Sequence, residues 1–426
     1  LRTFEFLNLV IQNIPLYLVL WILTFSAYRM LFSKIVDSIF DPLYFYIIFT
    51  NSICTANLIF LGFLGEINNF YLTNYFVSEF ALLLGVLIIS KKPIHIQTPS
   101  PESQFSHKLH HGMRLATTII VITNLIIYFE RGIPLFMESR AEASTGGSGF
   151  GFILRISQTL TILLVIFYYS RFLITNGKTL LSEKIYLGTS VIIGILSGFK
   201  AFFLIYLFCY CIIIKKETLH KNKFNFSTLY KLCGSGIIML ALFAVVMGTS
   251  NFAIIISGLI ARLLASGDVY YMAYVNDTLN ALPKQNFFFQ LFGSTLASFH
   301  LISWKDAPEN YGYVLNYLIN HNEVLNGPTF RYNVLWLHLT HNTILTTILS
   351  FFVGLIIGLF NKLLNSKRKL DFMFILLCFF YIKSFKFILG PDAAINDIII
   401  SILILIAFFT IMLVTFPANS KLKSTR

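Results

Sequence analysis

Unbroken runs of apolar residues, several longer than a globular core helix requires, set the class of this chain before any other feature is considered. Residues 185–214 and 372–389 match or exceed the roughly 17–25 residues that carry a helix across about 30 Å of hydrocarbon. Strands of a membrane barrel would instead alternate apolar and polar residues over segments of about ten, and no such alternation is present. The expectation is an all-α, polytopic integral membrane protein. Spans are predicted near 5–25, 43–65, 70–90, 113–129, 151–174, 232–260, 334–360, 372–389 and 398–416. Residues 185–214 form a separate case, and the total comes to about 10–11 transmembrane helices. No internal repeat and no separate soluble domain is visible, so residues 1–426 read as one membrane domain.

Composition closes off the soluble alternative. Hydrophobic residues make up 56% of the chain and charged residues 12%, against about 25% charged in an ordinary soluble domain. The formal net charge of +13 raises nucleic acid as a partner, but the placement of the charges argues against it. Lys215, Lys216, Lys221, Lys223 and Lys231 share one short loop, and Lys362, Lys367, Arg368 and Lys369 share another. Basic loops between apolar runs are the mark of the cytoplasmic face. On that rule 91–112, 175–184, 215–231, 361–371, the C-terminal tail and the loop holding Arg29 and Lys34 face the cytoplasm. The amino terminus, a loop at 130–150, a large periplasmic loop at 261–333 and 390–397 then lie outside. The five cysteines show neither zinc-ligand spacing nor a disulfide framework. The first apolar run is long and lacks a small-residue cleavage site, so no cleavable signal peptide is expected.

Segment 185–214 has basic residues on both flanks, which requires both ends on one side. Two half-length helices meeting at Ser197-Gly198-Phe199-Lys200 satisfy that requirement. Broken helices occur in membranes where the backbone lines a protein-enclosed cavity. Lys200 then reads as an anion ligand at the foot of such a cavity, with a lysine snorkelling from a helix end as the alternative.

Other charges gather on the predicted outer side. Glu130-Arg131-Gly132-Ile133-Pro134-Leu135-Phe136 is followed by Arg140, Glu142 and glycines at 146, 147, 149 and 151. Two arginines suit bidentate phosphate recognition, and glycines leading into a helix can present backbone N–H groups to an anion. An ordinary solvated loop explains the same residues. Arg262 and Asp268 follow the next long span, and Arg331 lies in Gly327-Pro328-Thr329-Phe330-Arg331, before His338 and His341. A histidine there could accept a proton from a hydroxyl, although a hydrogen-bonded core histidine is the commoner case. Lys383 and Lys386 read as snorkelling towards Asp392. Metal binding by Glu102, His107, His110 and His111 is not expected, and Asn176-Gly177-Lys178-Thr179 lacks the first glycine of a phosphate loop, where Phe172 stands. The tyrosines of the large loop suit sugar stacking and a membrane interface equally.

Taken in order, three of these stretches resemble the Wzy-type O-antigen polymerases, the bacterial oligosaccharide repeat-unit polymerases. Arg131-Gly-Ile-Pro-Leu-Phe with Arg140 resembles that family's Gly-Ile-Pro-Leu segment and downstream arginine. Leu196-Ser-Gly-Phe-Lys200 resembles its Ser-Gly-x-Lys/Arg turn. Gly327-Pro-Thr-Phe, leading to a helix carrying Gly354-Leu-Ile-Ile-Gly358, resembles its late Gly-Pro motif and glycine-spaced helix. The resemblance implies a GT-C-like glycosyltransferase of the bacterial inner membrane, acting at the periplasmic face. Its donor would be a glycan on undecaprenyl diphosphate and its acceptor a second lipid-linked repeat unit, with a chain-length regulator as a further partner. Arg131, Arg140, Lys200, Arg262 and Arg331 are the candidates to hold the diphosphate, and Glu142, Asp268 and His341 compete as general base. Transfer without metal or other cofactor is expected. His341-Asn342 is also reminiscent of the related O-antigen ligases, and a polysaccharide flippase would need similar embedded cations.

Overall fold

The computed structural model describes residues 2–36, 38–92, 96–137, 150–197, 202–218, 265–321 and 327–415. Among these residues the chain is helical and contains no strand, only one isolated bridge between Gln97 and Lys369. Eight helices are long and apolar enough to cross a membrane. It is an all-α, polytopic membrane protein.

The first long helix is α2 (Ile14–Phe32), preceded by the short α1 (Arg2–Gln12). The predicted span 5–25 is thereby divided, with Asn13 at the break and Pro15 in the first turn of α2, where its missing N–H costs nothing. A π-helical segment (Tyr44–Thr50) runs straight into α3 (Asn51–Phe63), and α4 (Asn69–Ile89) follows. Next comes α5 (Gln104–Arg131), which starts well before the predicted 113 because Ser103 caps it through the Ser106 N–H. His107, His110 and His111 therefore stand on a helix and not in a loop. His110 and Arg171 both meet Glu183, over 3.1 and 2.9 Å, tying α5 to α6 (Phe150–Ile174) and α7 (Leu181–Leu196). Asn176 and Gly177 are left-handed and close the end of α6, Gly177 N–H reaching Phe172 O over 2.8 Å. This is a helix C-terminus, with no phosphate cradle.

Residues 185–214 do form two short helices, α7 and α8 (Phe202–Thr218), with Ser197 in the turn that ends the first. Lys200 lies outside the described residues, as do Arg140, Glu142, Arg262 and the predicted span 232–260.

The segment after residue 264 is built from short helices: α9 (Asp268–Tyr274), α10 (Phe287–Ser298), α11 (Tyr311–Asn320) and α12 (Tyr332–Thr340). The predicted span 334–360 is broken at His341, whose φ is 48°, and Asn342 caps the separate helix α13 (Thr343–Ser366). The remaining helices are α14 (Phe372–Ser384), the single turn α15 (Lys386–Leu389) and α16 (Pro391–Thr415).

The closest helix pair is α4 with α13. They run parallel, since Asn74 bonds Thr343 near their starts while Asn361 accepts from the Lys91 N–H beyond the end of α4. Gly85 faces Gly354, and Gly358 faces Val86. A Cβ at Gly354 would collide with the Leu82 carbonyl. Small residues at four-residue spacing let membrane helices pack backbone to backbone.

Candidate functional site

Polar side chains are concentrated in two places inside this bundle. One is centred on Glu79. It is the eleventh residue of α4's 21, so a rise of about 1.5 Å per residue places it roughly 15 Å from either end, at mid-span. Its carboxylate accepts from Tyr28 Oη and Asn51 Nδ2, each at 2.8 Å, and from Tyr332 Oη at 2.5 Å. Thr55 joins Tyr28 and Tyr75, both over 2.8 Å. Arg331, only 1% exposed, donates through Nη2 to Asn51 Oδ1, while its Nε and Nη1 have no hydrogen-bond partner among the described residues. A buried charge is retained only where polar groups compensate it, and here three helices converge to do so.

The Tyr332–Glu79 bond has a topological consequence. Residues 331–333, predicted within a periplasmic loop, reach the mid-depth of α4. From there α12 leads to the turn at His341, and α13 runs on parallel to α4. The segment is re-entrant, a form allowed in membranes where protein surrounds the backbone. Gly327 makes the descent possible, because a Cβ there would strike the Gly312 carbonyl.

Asp268 adjoins this cluster from α9. It is buried beside α3, where Gly267 presses on Asn57, and Cys54 lies within electrostatic reach of Arg331, Glu79 and Asp268. Burial pushes the Asp268 carboxyl up to about 7, against backbone N–H bonds from Val269 and its own amide that pull it down. Most tyrosines of the segment pack inward: Tyr274 stacks on Tyr71 with ring centroids 4.4 Å apart, and Tyr270 meets Tyr75 edge-on at 5.2 Å. They serve as core here, not as an open platform for sugars.

The second place is a cavity of about 320 Å³ between α5, α6, α7, α8 and α14. Its walls are mostly apolar, but Lys383, Lys386, Asn124, Ser157, Gln158 and Ser197 reach it. Lys383 is 1% exposed and bonds Asp397 over 2.7 Å; Lys386 bonds the same oxygen over 2.9 Å. Neither lysine pairs with Asp392, whose carboxylate takes the Gln290 amide over 3.0 Å. The snorkelling expectation therefore fails for Lys383, which is buried and faces the cavity. Arg155 acts electrostatically on Asp397 and Lys383, and its buried Nη1 has no hydrogen-bond partner among the described residues. Lys383 and Lys386 thus share one carboxylate beside a space walled by Ile162, Ile193, Ile205 and Phe208, with Arg155 within electrostatic reach of that carboxylate. Excess positive charge of this kind, one lysine buried and one partly exposed, attracts an anion.

The predicted site residues divide between these places and the periphery. Arg331 and Asp268 belong to the mid-span cluster. Ser197, three positions before Lys200, lines the cationic cavity. Arg131, at the end of α5, is seven residues beyond the cavity-lining Asn124, about 10 Å along the helix. His341 is exposed at the left-handed turn and joins neither cluster. The buried histidine is His338, its Nε2 3.2 Å from Pro283 O and its ring edge-on to Tyr311. Glu79, Asn51 and Arg155 went unpredicted. A lone carboxylate or arginine within an otherwise apolar run was the available signal, because such residues are expensive to insert. Among the described residues no group of His, Cys, Asp and Glu could hold a metal ion. Comparison with protein-family models, curated proteins and solved structures finds no match to this chain.

Proposed function

We propose that this protein is a GT-C-like, membrane-embedded glycosyltransferase that polymerises undecaprenyl-diphosphate-linked oligosaccharide repeat units at the outer face of a bacterial inner membrane. The observation that carries the reading is the cationic cavity. A diphosphate attached to a prenyl chain needs fixed positive charge beside apolar walls, and Lys383 and Lys386 supply the charge within walls of isoleucine and phenylalanine, with Arg155 in electrostatic reach of Lys383. As the glycosidic bond breaks, negative charge develops on the departing diphosphate. Cations held in a water-poor site stabilise that charge without reorganising. The resemblance of Leu196-Ser-Gly-Phe-Lys200 to the polymerase turn supports the same reading, since Ser197 opens onto the cavity.

The acceptor hydroxyl must lose a proton as it attacks the donor sugar. Asp268, whose carboxyl is raised to about 7 by burial, is the candidate for that task, and it lies in the mid-span cluster and not in the lining of the cationic cavity. In this scheme Arg331 and the Glu79 network hold the re-entrant segment beside it.

The test is the glycan ladder of a strain lacking this gene, complemented with the wild type or with Lys386→Ala. A full ladder with the wild type, and single repeat units with the variant at equal membrane abundance, is the expected result. Long undecaprenyl-linked chains accumulating without transfer would make the protein a ligase. Single lipid-linked units held on the cytoplasmic face would make it a flippase.

A further inference from the structure

The end of the bundle opposite the cationic cavity carries a groove of about 460 Å³ between α5, α6, α14 and α16. Phe105, Phe167, Phe372, Phe409 and Met412 form its walls, and Phe372 meets Phe409 edge-on at 4.3 Å. Gly112 lets the walls close on α5, since a Cβ there would come within 2.6 Å of the Phe167 ring and 3.3 Å of Met412 Sδ. The charged side chain in the lining is Lys108, and among the described residues it forms no ion pair. Further positive charge precedes the Phe372 wall in sequence. Lys367, Arg368 and Lys369 lead into Phe372. Asp371, the acidic residue of that loop, is already 4.0 Å from Lys367.

An aromatic trough with a lysine in its lining is complementary to one kind of molecule, an amphiphile with an acyl chain and an anionic headgroup. A neutral phospholipid would fill the trough but leave the lysine unmatched. Basic pockets between membrane helices on the lysine-rich face recognise acidic headgroups in this way. We infer that this groove is a binding site for an anionic phospholipid, one acyl chain lying between Phe167 and Phe409 and the phosphate meeting Lys108. The site is separate from the cationic cavity and does not depend on the glycosyltransferase reading.

Native mass spectrometry of the full chain in neutral detergent tests it, with phosphatidylglycerol and phosphatidylcholine of identical acyl chains as probes. One lysine near an acidic headgroup gives a preference of about fivefold, so phosphatidylglycerol should be retained over phosphatidylcholine by at least that ratio. Lys108→Gln should remove the preference while leaving thermal stability unchanged. Met412→Trp, which fills the trough, should lower retention of both lipids. Equal retention of the two lipids by the wild type would overturn the site. So would a preference for phosphatidylglycerol that survives both substitutions.

Discussion

Arg331 and Glu79 bring opposite charges to the same buried layer without forming an ion pair, because the Asn51 amide stands between them. Its Oδ1 accepts from the Arg331 guanidinium, and its Nδ2 donates to Glu79 Oε1 over 2.8 Å. One amide thus links the re-entrant segment to α3 and α4 and compensates both charges at once.

Removing that amide should therefore be costly. Asn51→Leu leaves Arg331 buried without its hydrogen-bond acceptor and deprives Glu79 of a donor. Breaking a buried charged arrangement from one side costs about 3–5 kcal/mol. The detergent-solubilised variant should unfold at a clearly lower temperature than the wild type. The paired variant Arg331→Met with Glu79→Gln, which removes both charges, should recover much of the loss. An unchanged melting temperature for Asn51→Leu would show that the bridge holds nothing.

The two lysines on Asp397 should differ sharply in their effect on stability. Lys383 is enclosed, so Lys383→Met strips a buried carboxylate of its closest partner, with an expected cost of about 3–5 kcal/mol. The Lys386 side chain is 43% exposed, and a pair of that kind contributes about 0–1 kcal/mol. Thermal unfolding of the two variants side by side gives the comparison, and equal losses would refute it. The same contrast makes Lys386 the better probe of activity, since its loss leaves the fold in place.

At the α4–α13 contact, Gly354→Val should cost about 1–3 kcal/mol through overpacking, because the new side chain meets the Leu82 carbonyl. Gly188 in α7 is the matched control. A Cβ there meets nothing within 4 Å, and Gly→Ala in a helix is favourable by about 0.5–1 kcal/mol. Chemical denaturation in mixed micelles should therefore move the two variants in opposite directions.

Asp268 imposes a pH dependence whose sign follows from its raised value. Folding lifts the carboxyl from its ordinary 3.8 to about 7. Between those limits the folded protein keeps a proton that the unfolded chain has released, so this residue's contribution to stability is full below about 4 and declines as pH rises towards 7. Asp268→Asn abolishes the decline. The variant should be more stable than the wild type at pH 8, on the order of a few kcal/mol, and the difference should shrink as pH falls to 5. In a polymerisation assay the wild-type rate should rise through about pH 7 and the variant should lack that limb. A rate profile flat across this range would remove Asp268 as the base.

Class and broad layout were legible in the sequence because they rest on local quantities. A run of twenty apolar residues has one stable form in hydrocarbon. The break within 185–214 was legible for the same reason, from length and flanking charge. The spacing of the glycines at 354 and 358 was visible in the sequence, but not the partner they pack against, Gly85 and Val86 of α4. The assembled polar sites were not legible. Glu79 and Asn51 lie 28 residues apart on different helices, and Arg331 comes from a segment 252 residues after Glu79. Nothing near Arg331 in sequence tells that it descends to mid-span, because the groups that make its burial tolerable are supplied by α3 and α4. Likewise the sequence set Lys383 near Asp392, while the turn at Gly390 and the rise of α16 bring Asp397 to it instead. Hydrophobic length determines which segments cross a membrane. Which charges meet inside is decided by helix packing, since a buried charge is held by whichever distant polar groups the packing delivers to it.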